Sequence, residues 1–73
     1  MAFQRGDIIK EVWKEHEETR YLLIIDKLEP LGLLKDRYKL YDLGCGETDT
    51  AGLFNSSKVE YTLHFRPPNG NSK

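Results

Sequence analysis

Arg20-Tyr21-Leu22-Leu23-Ile24-Ile25-Asp26-Lys27-Leu28 is the stretch whose reading decides the fold. From Tyr21 to Ile25 both parities are apolar, the pattern of a central strand covered on each side, and polar residues return at Asp26 and Lys27. Three further runs of strand character surround it: Gly6 to Trp13, Arg37 to Leu43 and Val59 to Phe65. The last alternates cleanly, with Val59, Tyr61, Leu63 and Phe65 on one face and Glu60, Thr62 and His64 on the other.

Turn residues separate these runs. Gly6-Asp7 launches the first strand, and the wholly polar Lys14 to Thr19 reads as the loop into the second, since six residues without an apolar face do not hold a helix. Glu29-Pro30-Leu31-Gly32 supplies the Pro and Gly of a connection, and Leu31, Leu33 and Leu34 make that connection unusually apolar. Gly44-Cys45-Gly46 marks a sharp turn or bulge. Ala51-Gly52-Leu53-Phe54 is either a short additional strand or a segment lying across a barrel mouth, and Ser56-Ser57-Lys58 turns the chain, through a single 3₁₀ turn or without one. Short strands at this rhythm predict an all-β fold, a small SH3-like antiparallel barrel of about five strands over residues 1–65. Residues 66–73, Arg66-Pro67-Pro68-Asn69-Gly70-Asn71-Ser72-Lys73, read as a disordered tail.

A chain of 73 residues makes one domain near the lower limit of unassisted folding, with net stability of roughly 3–5 kcal/mol. A buried cleft for a cofactor is therefore not expected, and no cofactor is assigned. The net charge of −1 and pI near 6.1 argue against a generic nucleic-acid or membrane binder. One cysteine, Cys45, excludes an intramolecular disulfide and suits a reducing cytosol. The opening residues have no apolar signal core and no run approaches spanning length, so the expected setting is the cytoplasm, as monomer or homodimer.

Two resemblances are carried by the turn and core residues. The spacing Phe3-x-x-Gly6-Asp7-Ile8-Ile9, Tyr21 to Ile25, Tyr38-x-Leu40-x-x-Leu43-x-x-Gly46 and Val59-x-Tyr61-x-Leu63 resembles a class of short phage and prophage proteins that are expected to form SH3-like barrels. It covers residues 3 to 65 and implies a fold and a phage or prophage origin, in the cytoplasm of a bacterial host, without catalytic residues to transfer. Leu31 to Leu34 depart from that pattern by lengthening the second connection. Arg5-Gly6-Asp7-Ile8 before an apolar strand is also similar to the opening of the MazF-type toxin endoribonucleases, which are longer and carry helices and strands that this chain has no residues to build.

Several groups are candidates for function. Leu31, Leu33 and Leu34, with adjoining Trp13 or Tyr38, would form a protein-binding patch if exposed, or a plug for one barrel mouth if folded back. Lys35, Arg37 and Lys39, spaced two apart and continued by Tyr41, would line one strand face as phosphate contacts with a stacking ring, or simply be a solvated face. Trp13, Tyr21, Tyr38, Tyr41, Phe54 and Tyr61 could line a proline-peptide groove. Glu15, Glu17 and Glu18 suit its acidic loop, but the paired tyrosines are missing, so packing accounts better for the aromatics. Cys45, His16 and His64 are the inventory for nucleophilic chemistry; nothing in their spacing pairs them, and neither a zinc site nor a phosphate loop can be assembled. The reading is a non-catalytic protein-interaction module, with a nucleic-acid-binding barrel on the basic row as the alternative and a truncated endoribonuclease as a third.

Overall fold

A computed structural model describes residues 3–68 of the chain. Five strands follow one another: β1 (Ile8–Trp13), β2 (Glu18–Leu28), β3 (Arg37–Asp42), β4 (Thr48–Gly52) and β5 (Val59–Phe65). Every pairing is antiparallel, and the spatial order is β4-β3-β2-β1-β5, a meander whose last strand returns beside the first. The all-β architecture and strand number expected from the sequence are those found. The barrel is left open, because β4 and β5 share no ladder.

Alternation sorts each strand into an inner and an outer face. Ile9 and Glu11 on β1, Leu22 and Ile24 on β2, Tyr38, Leu40 and Asp42 on β3, and Val59 and Tyr61 on β5 turn inward and are buried. Phe3 and Leu53 complete the core from outside the strands. The Phe3 ring meets Tyr38 edge-on at 6.1 Å between centroids, and the Phe3 N–H donates to the Tyr38 hydroxyl at 3.2 Å. Two bulges bend the sheet, one between β1 and β5 at Ile8/Ile9 and one between β2 and β3 at Ile24/Asp26.

Four details differ from the sequence reading. The outer face of β2 is only partly covered: Tyr21 is exposed, and Leu23 and Ile25 are half-buried. β2 begins at Glu18, since Trp13 pairs with Glu18 and Val12 with Thr19; ladder bonds need only backbone, so polar side chains did not stop the hairpin. A four-residue turn remains, with Glu17 at φ 52°. The uncertain Ala51 to Phe54 segment divides: Ala51 and Gly52 end β4, which starts earlier at Thr48, while Leu53 leaves the sheet and enters the core. The turn into β5 is held by the Ser56 hydroxyl, which accepts from Lys58 N–H (3.1 Å) and Val59 N–H (3.3 Å), with no 3₁₀ helix.

Arg66, placed in the tail by composition, belongs to the fold. Its Nε and Nη2 donate to the two oxygens of Asp7 at 2.9 and 2.8 Å, and Asp7 is 1% exposed. Of the rest of the expected tail, Pro67 and Pro68 are exposed and outside any strand, and residues 69–73 lie outside the described residues. Among the described residues, no helix is long and apolar enough to cross a membrane.

Candidate functional site

The connection between β2 and β3 carries the most exposed large apolar side chain among the described residues, Leu33. After Pro30, the Leu31 and Leu34 backbones exchange both hydrogen bonds, at 2.9 and 3.0 Å, closing a two-residue turn over Gly32 and Leu33. Gly32 has φ +62° and Leu33 a negative φ, the signature of a type II′ turn, which needs glycine at its first central position. A tight turn of this kind holds Leu33 at its tip, where the side chain is 95% exposed; Leu31 (63%) and Leu34 (45%) flank it. All three leucines are exposed, so they do not plug a barrel mouth.

Leu33 and Leu34 line a groove completed by Lys35, Asp36, Gly52, Leu53 and Phe54. Gly52 fits because a side chain there would meet the Leu34 methyl at 3.4 Å. Phe54, 63% exposed, is a member of this surface that sequence reasoning left with the packing aromatics. Two residues assigned to the patch lie elsewhere. Tyr38 is wholly buried in the core, because it alternates inward between Arg37 and Lys39. Trp13 is half-buried against the core and pairs with Glu18 at the opposite end of β2 from Leu28, where the hairpin begins.

The basic row is partly as expected. Arg37, Lys39 and Tyr41 share the outer face of β3, and Lys35 precedes the strand, exposed. Asp26 stands directly opposite Lys39 in the ladder, and Arg37 Nη1 donates to the Glu29 carbonyl at 2.8 Å. The Asp26 carboxylate opposite Lys39 lowers the net positive charge of this face, and the Glu29 carbonyl occupies one Arg37 donor that a phosphate would use. Further along the outer surface, the Tyr21 and His64 rings lie 4.7 Å apart.

A polar web crosses the inner face at the other end of the sheet. Arg20 Nε donates to Glu11 Oε1 at 2.6 Å and its Nη1 to Asp42 Oδ2 at 2.9 Å, while the Tyr61 hydroxyl donates to Glu11 Oε2 at 2.9 Å. Four strands are thereby tied, β1, β2 and β5 through the Glu11 carboxylate and β3 through Arg20. Burial pushes the Glu11 pKa up, but hydrogen bonds from Arg20, Trp13 and Tyr61 outweigh it and hold the carboxyl below its usual value. The N–H of Gly44 leads in depressing Asp42, against burial and with Cys45 and Arg20. Burial, then the Glu11 carboxylate, raises the Tyr61 hydroxyl pKa. No buried side-chain polar atom among the described residues lacks a partner, so this web reads as structure.

This web was legible in principle, since Ile9, Glu11 and Trp13 share a parity on β1 and a hairpin register places Arg20 opposite Glu11. For chemistry, Cys45 is exposed in the turn that Asp42 caps, through Gly44 N–H at 2.8 Å and Cys45 N–H at 3.3 Å. His16 and His64 are both exposed. Among the described residues, no three His, Cys, Asp or Glu side chains are grouped as metal ligands would be. Comparison with family models, with curated proteins and with solved structures finds no match to this chain.

Proposed function

We propose that this protein is a non-catalytic interaction module that binds another protein through the leucine hairpin. The resemblance of residues 3 to 65 to short phage and prophage proteins makes a host or viral protein the partner of choice. The observation that supports the reading is Leu33, held 95% exposed at the tip of a hydrogen-bonded turn beside an apolar groove with Phe54. A leucine on a loose loop would lose conformational entropy on binding; one on a closed turn loses less, so more of its burial energy appears as affinity. Burying one leucine contributes about 1.5–3 kcal/mol.

The experiment is affinity capture from a bacterial lysate with and without nuclease, comparing wild type with the Leu33→Asp, Leu34→Asp double variant. A stoichiometric protein that survives nuclease and is lost with the double variant is the expected result. Retention by the variant would remove the hairpin from the binding surface. A second reading, nucleic-acid binding, draws support from Arg37, Lys39 and Tyr41 sharing one outer face. It predicts nuclease-sensitive capture and affinity that falls by about 0.9 log units per log unit of salt for each phosphate contacted. Lys35→Glu with Lys39→Glu would abolish that binding.

A further inference from the structure

The two edges of this sheet are treated differently. On β5 the outward backbone groups at the start of the strand are occupied: Asn55 Oδ1 accepts the Tyr61 N–H at 2.7 Å, Ser56 holds both Val59 N–H and Val59 C=O, and the register shift at Ile8/Ile9 bends the strand's end. β4 has one side-chain cap of this kind, on Thr50, and neither a hydroxyl clasp nor a register shift. Asp42 N–H donates to Glu47 C=O and Leu53 N–H to Asp36 C=O, so residues 47, 49, 51 and 53 point their backbone groups at β3. Thr48, Thr50 and Gly52 therefore point theirs outward. The Thr50 N–H is met only by the side chain of its own neighbour, Asp49 Oδ1, at 2.8 Å. Among the described residues, β3 is the one strand that touches β4.

A single protective charge guards this edge. Asp49 stands opposite Leu40, on the face that turns toward the core, and borders a cavity of about 290 Å³ whose charged lining is Arg20, Asp42, Glu47 and Asp49. Three carboxylates face one guanidinium there, and Arg20 is already shared between Glu11 and Asp42. An apolar strand laid along β4 would strip water from Asp49 without replacing it, whereas a cationic side chain would supply its missing partner. At its far end β4 stops at Gly52, which lines the groove of Leu34 and Phe54.

We infer that β4 is a docking edge for an extended segment of a partner protein, added as a sixth strand, carrying Lys or Arg where it passes Asp49 and an apolar side chain where it passes Gly52. The backbone ladder supplies affinity, and the two side chains supply selection. This deepens the interaction-module reading and rests on it for the apolar half.

The test titrates the ¹⁵N-labelled full chain with the five-residue probe Leu-Val-Thr-Lys-Thr and with its reverse, so that both strand directions are covered. The expected result is binding in one direction, with amide shifts at Thr48, Thr50 and Gly52, weakened about tenfold or more when Glu replaces Lys in the probe. Thr50→Pro removes an outward N–H without touching the β3 ladder and abolishes binding. Asp49→Asn, at an exposed position, keeps the fold and costs the Lys probe about tenfold while leaving a Gln probe unchanged. Absence of shifts at those amides, or wild-type binding by Asp49→Asn, overturns the inference. Neither outcome bears on the hairpin, which fails separately if Leu33→Asp, Leu34→Asp retains its captured protein.

Discussion

Replacing Arg20 with methionine tests the electrostatic logic of the inner face. Among the described residues, Arg20 is the cation paired with both Glu11 and Asp42, and Glu11 is 3% exposed. Methionine keeps much of the stem and removes the charge, leaving a buried carboxylate with the neutral donors of Trp13 and Tyr61. Breaking a buried pair from one side costs about 3–5 kcal/mol. The Arg20 side chain is itself 43% exposed, so water replaces part of what is lost, and about 2–3 kcal/mol is the expected deficit. Set against a total of roughly 3–5 kcal/mol, the variant sits close to its unfolding midpoint.

The pH dependence carries the sign. In wild type the Glu11 pKa is held below its unfolded value, so its stabilisation is present above pH about 4.3 and fades as pH falls through the depressed folded pKa. In Arg20→Met, burial acts without the guanidinium, and protonating Glu11 relieves the penalty. The deficit is therefore largest at neutral pH and shrinks toward pH about 4. Urea unfolding followed by the fluorescence of Trp13, the one tryptophan, measures both arms. Adding Glu11→Gln to Arg20→Met should recover part of the loss at neutral pH and nothing at acid pH. A deficit below about 1 kcal/mol at pH 7, or one that is equal at both pH values, would refute the argument.

Two further expectations follow from the same geometry. Arg66→Ala leaves Asp7 buried with the Gln4 N–H as its remaining partner, and lowers the melting midpoint by several degrees; Arg66 depresses the Asp7 pKa, so this loss appears above the carboxylate range and vanishes in acid, read by thermal scans at two pH values. Glu17→Gly relieves the one non-glycine residue with positive φ among those described, and raises stability by about 0.5–1 kcal/mol in urea titrations.

Local pattern carried the strands well wherever the alternation was clean. Val59 to Phe65 was read with its boundaries intact, and Arg37 to Asp42 within one residue, because period-2 burial is a property of neighbouring side chains. Thr48 to Thr50 gave no such signal: an edge strand with polar residues on both faces is held by backbone bonds to β3, which side-chain chemistry does not announce. The leucine hairpin was legible as an apolar excess, but not its disposition. Whether Leu33 plugs a barrel mouth or stands in solvent depends on the Leu31–Leu34 backbone pair and on Leu53, which takes the interior place from beyond β4.

The amino-acid order was enough to specify an all-β domain, its turns and the outward row Arg37, Lys39, Tyr41, since these follow from residue-to-residue periodicity and from glycine's access to positive φ. Only the tertiary structure joined residues distant in the chain: Asp7 with Arg66, Glu11 with Arg20, Asp42 and Tyr61, and Phe54 with Leu34 across Gly52. It alone decided that β4 is the open edge. Pairing between strands far apart in sequence sets which carboxylates are buried and which backbone groups stay free, and no local period encodes that choice.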